Sequence, residues 1–334
     1  MQTESVLLQN LFVPCACRCR YCLLSWDGKP VGIPWERSAE FALRFRQWMQ
    51  QNRPELQFSF TFGYAMEHPE LPKALRFLRE IGSPQAEFLQ CDGMRMRTEA
   101  ECEELAQLLA AEGVKHLNFT FYGLADYHDR FSGRRGDFAL MLRMMRAAGE
   151  AGLAVSAGIP LTAESAPQIA PLLDCLRNQA SCRQIRLFVP HEEGRGITLD
   201  RIRFSEDELG KLSPEAVRLL NRGLYRPERE WVRDNCFTAE TSRMLILSLR
   251  QDNIDRYEAL SPGEIISEAE ALDDRYYSAF PTLPELAERY GDPDGRRFYR
   301  QRDLFSHYRR LFAKEYRISV YDVTDERQTG SRRY

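Results

Sequence analysis

Short apolar segments recur through the first two-thirds of the chain, each followed by a polar loop and then by a stretch with helical periodicity. The segments 5–13 (S-V-L-L-Q-N-L-F-V), 57–62, 85–91, 115–122, 153–160 and 184–189 are β-branched or aromatic and short, as strands are. Amphipathic stretches at 35–51, 69–81, 99–112, 137–151, 164–178 and near 205–222 predict helices between and after them. Thr98 with Glu101, and Ser205 with Glu208, have the spacing of a capping box, in which each side chain satisfies a free amide at the helix start. Gly113 and Gly152 stand just past helix ends, where a left-handed residue is wanted. Six strand–helix units in series predict an α/β fold with a parallel sheet, either doubly wound or a full or partial barrel. In either case chemistry belongs on the loops that leave the C-terminal ends of the strands.

Past residue 222 the pattern changes. Helices are expected at 238–250, 262–272, 283–290 and 297–316, followed by a short apolar strand at 317–323. The organisation read from this is a core over 1–222 and a mainly helical C-terminal extension over 223–334. The stretch Trp231–Cys236 is a candidate lid. Arginines crowd 296–317, but Phe305, Tyr308, Phe312 and Tyr316 recur there at helical spacing, which favours a helix packed on the core over a nucleic-acid contact.

Composition narrows the class. Hydrophobic residues make up 43% and charged residues 28% of the 334, which is globular composition, and the net charge of -3 provides no general attraction for nucleic acid or acidic membranes. No apolar run is long enough to span a bilayer, and the polar start lacks a basic leader, so a cytoplasmic protein without membrane or nucleic-acid partners is expected.

The nine cysteines change the picture most. Four of them fall in V-P-C-A-C-R-C-R-Y-C, residues 13–22, directly after the first strand; the other five are scattered, unlike a disulfide framework. Cys15, Cys19 and Cys22 fit Cys-x3-Cys-x2-Cys, and three thiolates can hold three irons of a [4Fe–4S] cube while the fourth iron stays open. With Cys17 included, a structural zinc site is the alternative, although zinc sites usually draw two cysteine pairs from separate hairpins.

This motif, with the aromatic Tyr21 before its last cysteine and six β/α units behind it, resembles the radical S-adenosylmethionine (radical SAM) superfamily. The resemblance covers about residues 5–222 and implies a partial (β/α)6 TIM-like barrel. It also implies that Cys15, Cys19 and Cys22 ligate the cluster, whose open iron chelates the amino and carboxylate groups of SAM. One electron, from a reductant such as flavodoxin or ferredoxin, would then release a 5′-deoxyadenosyl radical that takes hydrogen from substrate. Cys17 lies outside that ligand set and is expected to point away.

The same resemblance assigns SAM contacts. Gly63 and Tyr64 stand where such enzymes often carry Gly-Gly-Glu-Pro; here the stretch is Gly63-Tyr64-Ala65-Met66, without the Glu. Asn118 and Thr120 on the fourth strand share one face by alternation. The segment Tyr122–Phe138 resembles the peptide-maturase branch, as does the Pro190–Gly196 turn, in which His191 is a candidate proton donor. That branch often has further clusters near its C-terminus, but only Cys236 lies beyond residue 182, so a single cluster is expected. The substrate expected first is a peptide. A small metabolite or nucleoside is the second reading, and a non-catalytic iron–sulfur or zinc protein is the reading from another class.

Overall fold

A computed structural model describes residues 2–13, 15–22, 32–63, 65–192, 194–235 and 242–317. The chain opens with β1 (Gln2–Val13), α1 (Trp35–Asn52), β2 (Gln57–Gly63), α2 (Leu71–Glu80), β3 (Phe88–Gln90) and α3 (Glu99–Ala111). It continues through β4 (His116–Thr120), α4 (Ala125–Ser132), α5 (Asp137–Glu150), β5 (Ala154–Pro160), α6 (Ile169–Ala180) and β6 (Gln184–Phe188). Two short helices follow, α7 (Glu206–Leu209) and α8 (Pro214–Leu219), then β7 (Arg226–Pro227), α9 (Glu228–Asp234) and β8 (Ser242–Ser248). The last elements are α10 (Ile254–Ala259), α11 (Pro262–Ser278), α12 (Leu283–Tyr290), β9 (Phe298–Tyr299) and α13 (Gln301–Tyr316).

The six expected strands all form, and every pairing among them is parallel. They fall into two sheets, β2-β1-β8 and β3-β4-β5-β6, so the architecture is an α/β partial barrel. Alternation along each strand sorts the side chains. Leu117, Phe119, Ala157, Ile159, Ile185 and Leu187 are buried in one core cluster with Leu109 of α3, Met144 of α5 and Leu173 of α6. Side chains of this size contribute about 1.5–3 kcal/mol each when fully buried. The opposite face of β3–β6 is polar: Gln90, Asn118, Ser156 and Gln184 form one cross-strand row, and Thr120, Gly158 and Arg186 the next. That face lines the lumen.

The helix starts follow the sequence. Capping boxes form at Thr98–Glu101 and Ser205–Glu208, and Gly113 and Gly152 have φ of 80° and 82°. Three expectations are corrected. The span 205–222 is two short helices, because Ser213 caps a new start before Pro214. Helix α4 was not foreseen. Of the expected helix at 238–250, residues 238–241 lie outside the described residues, and Ser242–Ser248 is instead strand β8, parallel to β1 on the side away from β2. Arg243-Met-Leu-Ile-Leu-Ser248 is too short and too uniformly apolar for periodicity to separate helix from strand; the open edge of β1, whose backbone groups need partners, decides it. The expected strand at 317–323 lies outside the described residues beyond Arg317.

The C-terminal helices build a second, smaller core. Trp231 of α9 is buried there with Leu286, Tyr299, Leu304 and Tyr308, and its Nε1 donates to the Tyr299 carbonyl at 3.0 Å. It is a core residue rather than a lid; Cys236 lies outside the described residues. Arg309 of α13 is 5% exposed, its guanidinium 3.3 Å from the Phe305 ring centroid and 4.1 Å from that of Tyr277, so the arginine-rich helix is packed as expected. Tyr316 departs from that pattern: it is 49% exposed and stacks on Phe312.

Candidate functional site

The cysteine loop leaves the C-terminal end of β1 and is held by backbone hydrogen bonds, to which the Arg18 guanidinium adds bonds to the Cys15 (3.1 Å) and Cys17 (2.7 Å) carbonyls. Ala16 donates to the Gly93 carbonyl (2.9 Å), Arg18 to Ser132 (2.7 Å) and Arg20 to Phe131 (2.9 Å), while the Arg195 amide donates to the Cys22 carbonyl (3.0 Å). The α4–α5 turn makes the closest approach. Gly133, at φ 69°, lies against Arg18, where a β-carbon would come within 3.0 Å of the Arg18 Cβ and 3.1 Å of its carbonyl oxygen. A side chain there would push the loop away, and the left-handed φ also favours glycine.

All four loop cysteines are free thiols and pack together against Leu11; Cys15 and Cys17 are buried, Cys19 and Cys22 half-buried. This is a fit to a thiolate-held cluster, since the donors converge on one compact loop at the C-terminal end of a strand. Cys17 does not point away as expected. It turns inward, and its thiol donates to Asp137 Oδ2 at 3.6 Å. A hydrogen bond with Cys15 lowers its pKa, but one with Cys19, burial and the Asp137 charge raise it further, to well above an ordinary thiol. Asp137 in turn accepts from His128 Nε2 (3.1 Å) and from Arg134. Burial works against its charge, yet His128 and Arg134 together hold its carboxyl well below the usual range. His128 is fixed from its other side by the Tyr122 amide, which donates to Nδ1 at 3.2 Å. The strand-four segment singled out in the sequence therefore forms the cradle of the cysteine loop.

The other expected site residues sit around the same opening. Tyr21 packs edge-on against Tyr122 (6.1 Å between centroids) and lies 6.2 Å from Phe188, and burial pushes its phenol well above the usual value. Gly63 ends β2 with φ 74°, in register with Val13 of β1, two residues before Cys15. Tyr64 lies outside the described residues. Asn118 and Thr120 face the lumen but are engaged: Asn118 Nδ2 donates to Gln90 Oε1 (2.7 Å), and the Thr120 amide and hydroxyl donate to Asp92 (2.9 and 2.7 Å).

Asp92 escaped the sequence reading. Desolvation raises its pKa to about 6, against the lowering pull of the Thr120 and Gln90 hydrogen bonds. Its only sequence signal is its place, two residues after Gln90 in the loop that follows a strand. His191 is not free in the lumen, because its Nδ1 lies 3.3 Å from Asp303 and 3.2 Å from Arg300 Nη2. Glu192, Asp200 and His307 bring metal-type donor atoms within 4.8 Å of one another. Arg310 Nη2 stands 2.5, 2.8 and 2.8 Å from those three, so a guanidinium occupies the position a cation would take. No helix among the described residues is long and apolar enough to cross a membrane.

Comparison with known proteins follows the same line. Residues 10–169 match the radical SAM superfamily. Among solved structures, SuiB of Streptococcus suis is similar at 13% identity and TM-score 0.46, covering 73% of this chain and 50% of that one. anSMEcpe with bound AdoMet and a Kp18Cys peptide is similar at 14% identity and TM-score 0.46, covering 70% and 61%. Coproporphyrinogen III oxidase (HemN) from Escherichia coli is similar at 13% identity and TM-score 0.42, covering 75% and 63%. The chain thus spans about half the length of SuiB and less than two-thirds of the other two. Comparison with curated proteins finds no sequence match.

Proposed function

Because the chain belongs to the radical SAM superfamily, we propose that Cys15, Cys19 and Cys22 are the three ligands of its one cluster and that the polar lumen is where substrate meets the radical. The protein is an enzyme, and its cofactors are a [4Fe–4S] cluster and SAM. When bound, they supply a reductive cleavage that yields methionine and a 5′-deoxyadenosyl radical. The chain's own residues position and shield. The α4–α5 cradle sets the loop, and Cys17 stays a thiol on Asp137. Gly63 presents backbone beside the loop, and Tyr21 and Tyr122 screen the site from water. Asn118 and Thr120 act through Gln90 and Asp92, which they hold in place.

The observation that carries the ligand assignment is the inequality of the four thiols. The Cys17 thiol donates to the Asp137 carboxylate, and a thiolate beside that charge is disfavoured. The substrate we assign first is a peptide side chain, because Gln184 and Arg186 stand exposed on the lumen face and leave the chamber open to a chain. An electron donor such as flavodoxin or ferredoxin completes the cycle.

After anaerobic reconstitution, Cys15→Ala, Cys19→Ala or Cys22→Ala should each abolish the reduced-cluster EPR signal and the release of 5′-deoxyadenosine from SAM and dithionite. Cys17→Ala should keep the EPR signal. Iron analysis should find about four irons per chain; zinc in their place, with Cys17 required for its binding, would overturn the reading.

A further inference from the structure

The lumen face of β3–β6 carries one permanently charged side chain. The residues alternating with the buried set are Gln90, His116, Asn118, Thr120, Ser156, Gly158, Gln184 and Arg186, with small or apolar residues at the strand ends. Of these, Arg186 is the cation. It is exposed and makes no hydrogen bond or ion pair among the described residues. Other arginines near this end of the barrel are engaged: Arg97 with Glu67, Arg134 with Asp137, Arg203 with Glu192 and Arg310 with Glu192 and Asp200. A guanidinium held free on the inner wall of a barrel therefore calls for an explanation.

Two further observations bear on it. Its cross-strand neighbour on β5 is Gly158, where a β-carbon would meet Phe188 Cε1 at 3.3 Å and Arg186 Nε at 3.6 Å. The absent side chain lets the Arg186 stem lie across β5, towards Thr120 in the same row. Phe188, two residues further along the same face of β6, lies 6.2 Å from Tyr21 of the cysteine loop, so Arg186 stands one step below the mouth of the chamber. The far wall also has an unmet polar group. Gln9 of β1 is 4% exposed, on the face opposite Leu8, and its Nε2 has no partner. A buried amide N–H left unpaired is costly, a deficit that a bound acceptor removes.

We propose that Arg186 is the substrate anchor of this enzyme and takes a carboxylate, so that the substrate carries an acidic group close to the atom that reacts. A planar guanidinium matches a carboxylate with two parallel N–H···O bonds. A monoanion suits the site better than a phosphate dianion, since the face offers one cation, neutral amides and hydroxyls, and the acidic Asp92 beside Thr120. The inference rests on the lumen being the reaction chamber proposed above.

SAM carries a carboxylate as well, and the test separates the two sources. The reconstituted, SAM-loaded protein is treated with phenylglyoxal, and Arg186 modification is mapped by mass spectrometry against the exposed Arg275. The probes are two degenerate mixtures of short C-terminally amidated peptides that differ only in carrying Asp and Glu or Asn and Gln. Arg186 should react in the SAM-loaded protein and be protected by the acidic mixture alone. Arg186→Gln should weaken calorimetric binding of that mixture roughly 10–100-fold, the range of one charge-assisted hydrogen bond, while Arg186→Lys should weaken it less. Iron content equal to that of the parent shows that the variant has folded.

Protection by SAM alone, equal protection by both mixtures, protection by neither, or an Arg186 that does not react would each overturn the proposal. The parent protein's release of 5′-deoxyadenosine is read separately. If it stands while Arg186 fails, the anchor alone is refuted; if it is missing, the reaction chamber itself is refuted.

Discussion

Two loops at the same end of the barrel are held in opposite ways. The cysteine loop after β1 is fixed mainly by backbone hydrogen bonds to Gly93, Phe131 and Ser132 and by the Arg18 guanidinium on the Cys15 and Cys17 carbonyls, with Asp137 as a buried carboxylate contact. The loop after β6 is fixed by charge. Glu192, with no side-chain exposure, meets Arg203, Arg310 and His307, and Asp303 of α13 meets His191 and accepts from the Glu192 amide. A loop meant to carry thiolates and a redox centre does best in a frame whose own charges are few, because each added charge would shift the thiolates and the potential. The β6 loop instead uses ion pairs, whose directional geometry docks α13 on the barrel. Arg195 joins the two, its amide on the Cys22 carbonyl and its Nη1 3.4 Å from that of Cys19.

The contrast can be broken from either side. The largest effect is expected from Glu192→Ala, which takes the fully buried carboxylate away from Arg203 and Arg310 and leaves them only the partly exposed Asp200 as an acidic partner. Urea unfolding should show a loss of about 3–5 kcal/mol, with reconstituted iron close to that of the parent. Asp137→Asn is the converse. It weakens one buried carboxylate contact set at a cost of about 1–3 kcal/mol, but it should shorten the time the cluster survives in air or chelator, since it frees Cys17 and the α4–α5 turn. Equal iron loss in both variants would dissolve the distinction.

Acid should separate the same groups. Asp303 and Asp200 have depressed pKa values: burial opposes their charge, but His191 on the first and Arg203 on the second lead the groups that outweigh it. Their contribution is therefore present above the unfolded carboxylate value near ~3.9 and is lost as pH falls below it. Asp92 has the opposite sign. Its pKa is raised to about 6, so its contribution is present below about 3.9 and lost as pH rises through about 6. A Tm–pH profile of Asp92→Asn should lack the parent's decline over that window. The smallest effect is Thr98→Ala, which removes a capping box far from both loops; it should cost about 1 kcal/mol and leave iron binding untouched.

Local chemistry was legible in advance wherever it was self-contained. The capping boxes, the six parallel strands and the crowding of four cysteines onto one loop depend on spacing within a few residues, and spacing is written in the chain. The strand at Ser242–Ser248 was not, because its run of four apolar residues, Met244 to Leu247, satisfies helix and strand alike until a neighbour offers unpaired backbone groups. Cys17 was misjudged for a related reason: its orientation is set by Asp137, 120 residues away. Arg186 went unremarked because an arginine in a strand is ordinary, and only the register with Gly158 and the polar lumen face make its freedom visible.

By itself, the sequence determined the six strand–helix units of the first two-thirds of the chain, the cysteine motif and the kind of cofactor it can hold. Those follow from backbone preference and ligand type, which act over a turn or two. Which thiol meets a buried carboxylate, which carboxylate shares the lumen and which cation faces it were decided only by the tertiary structure. Burial and long-range charge set those properties, and neither exists until the strands are side by side.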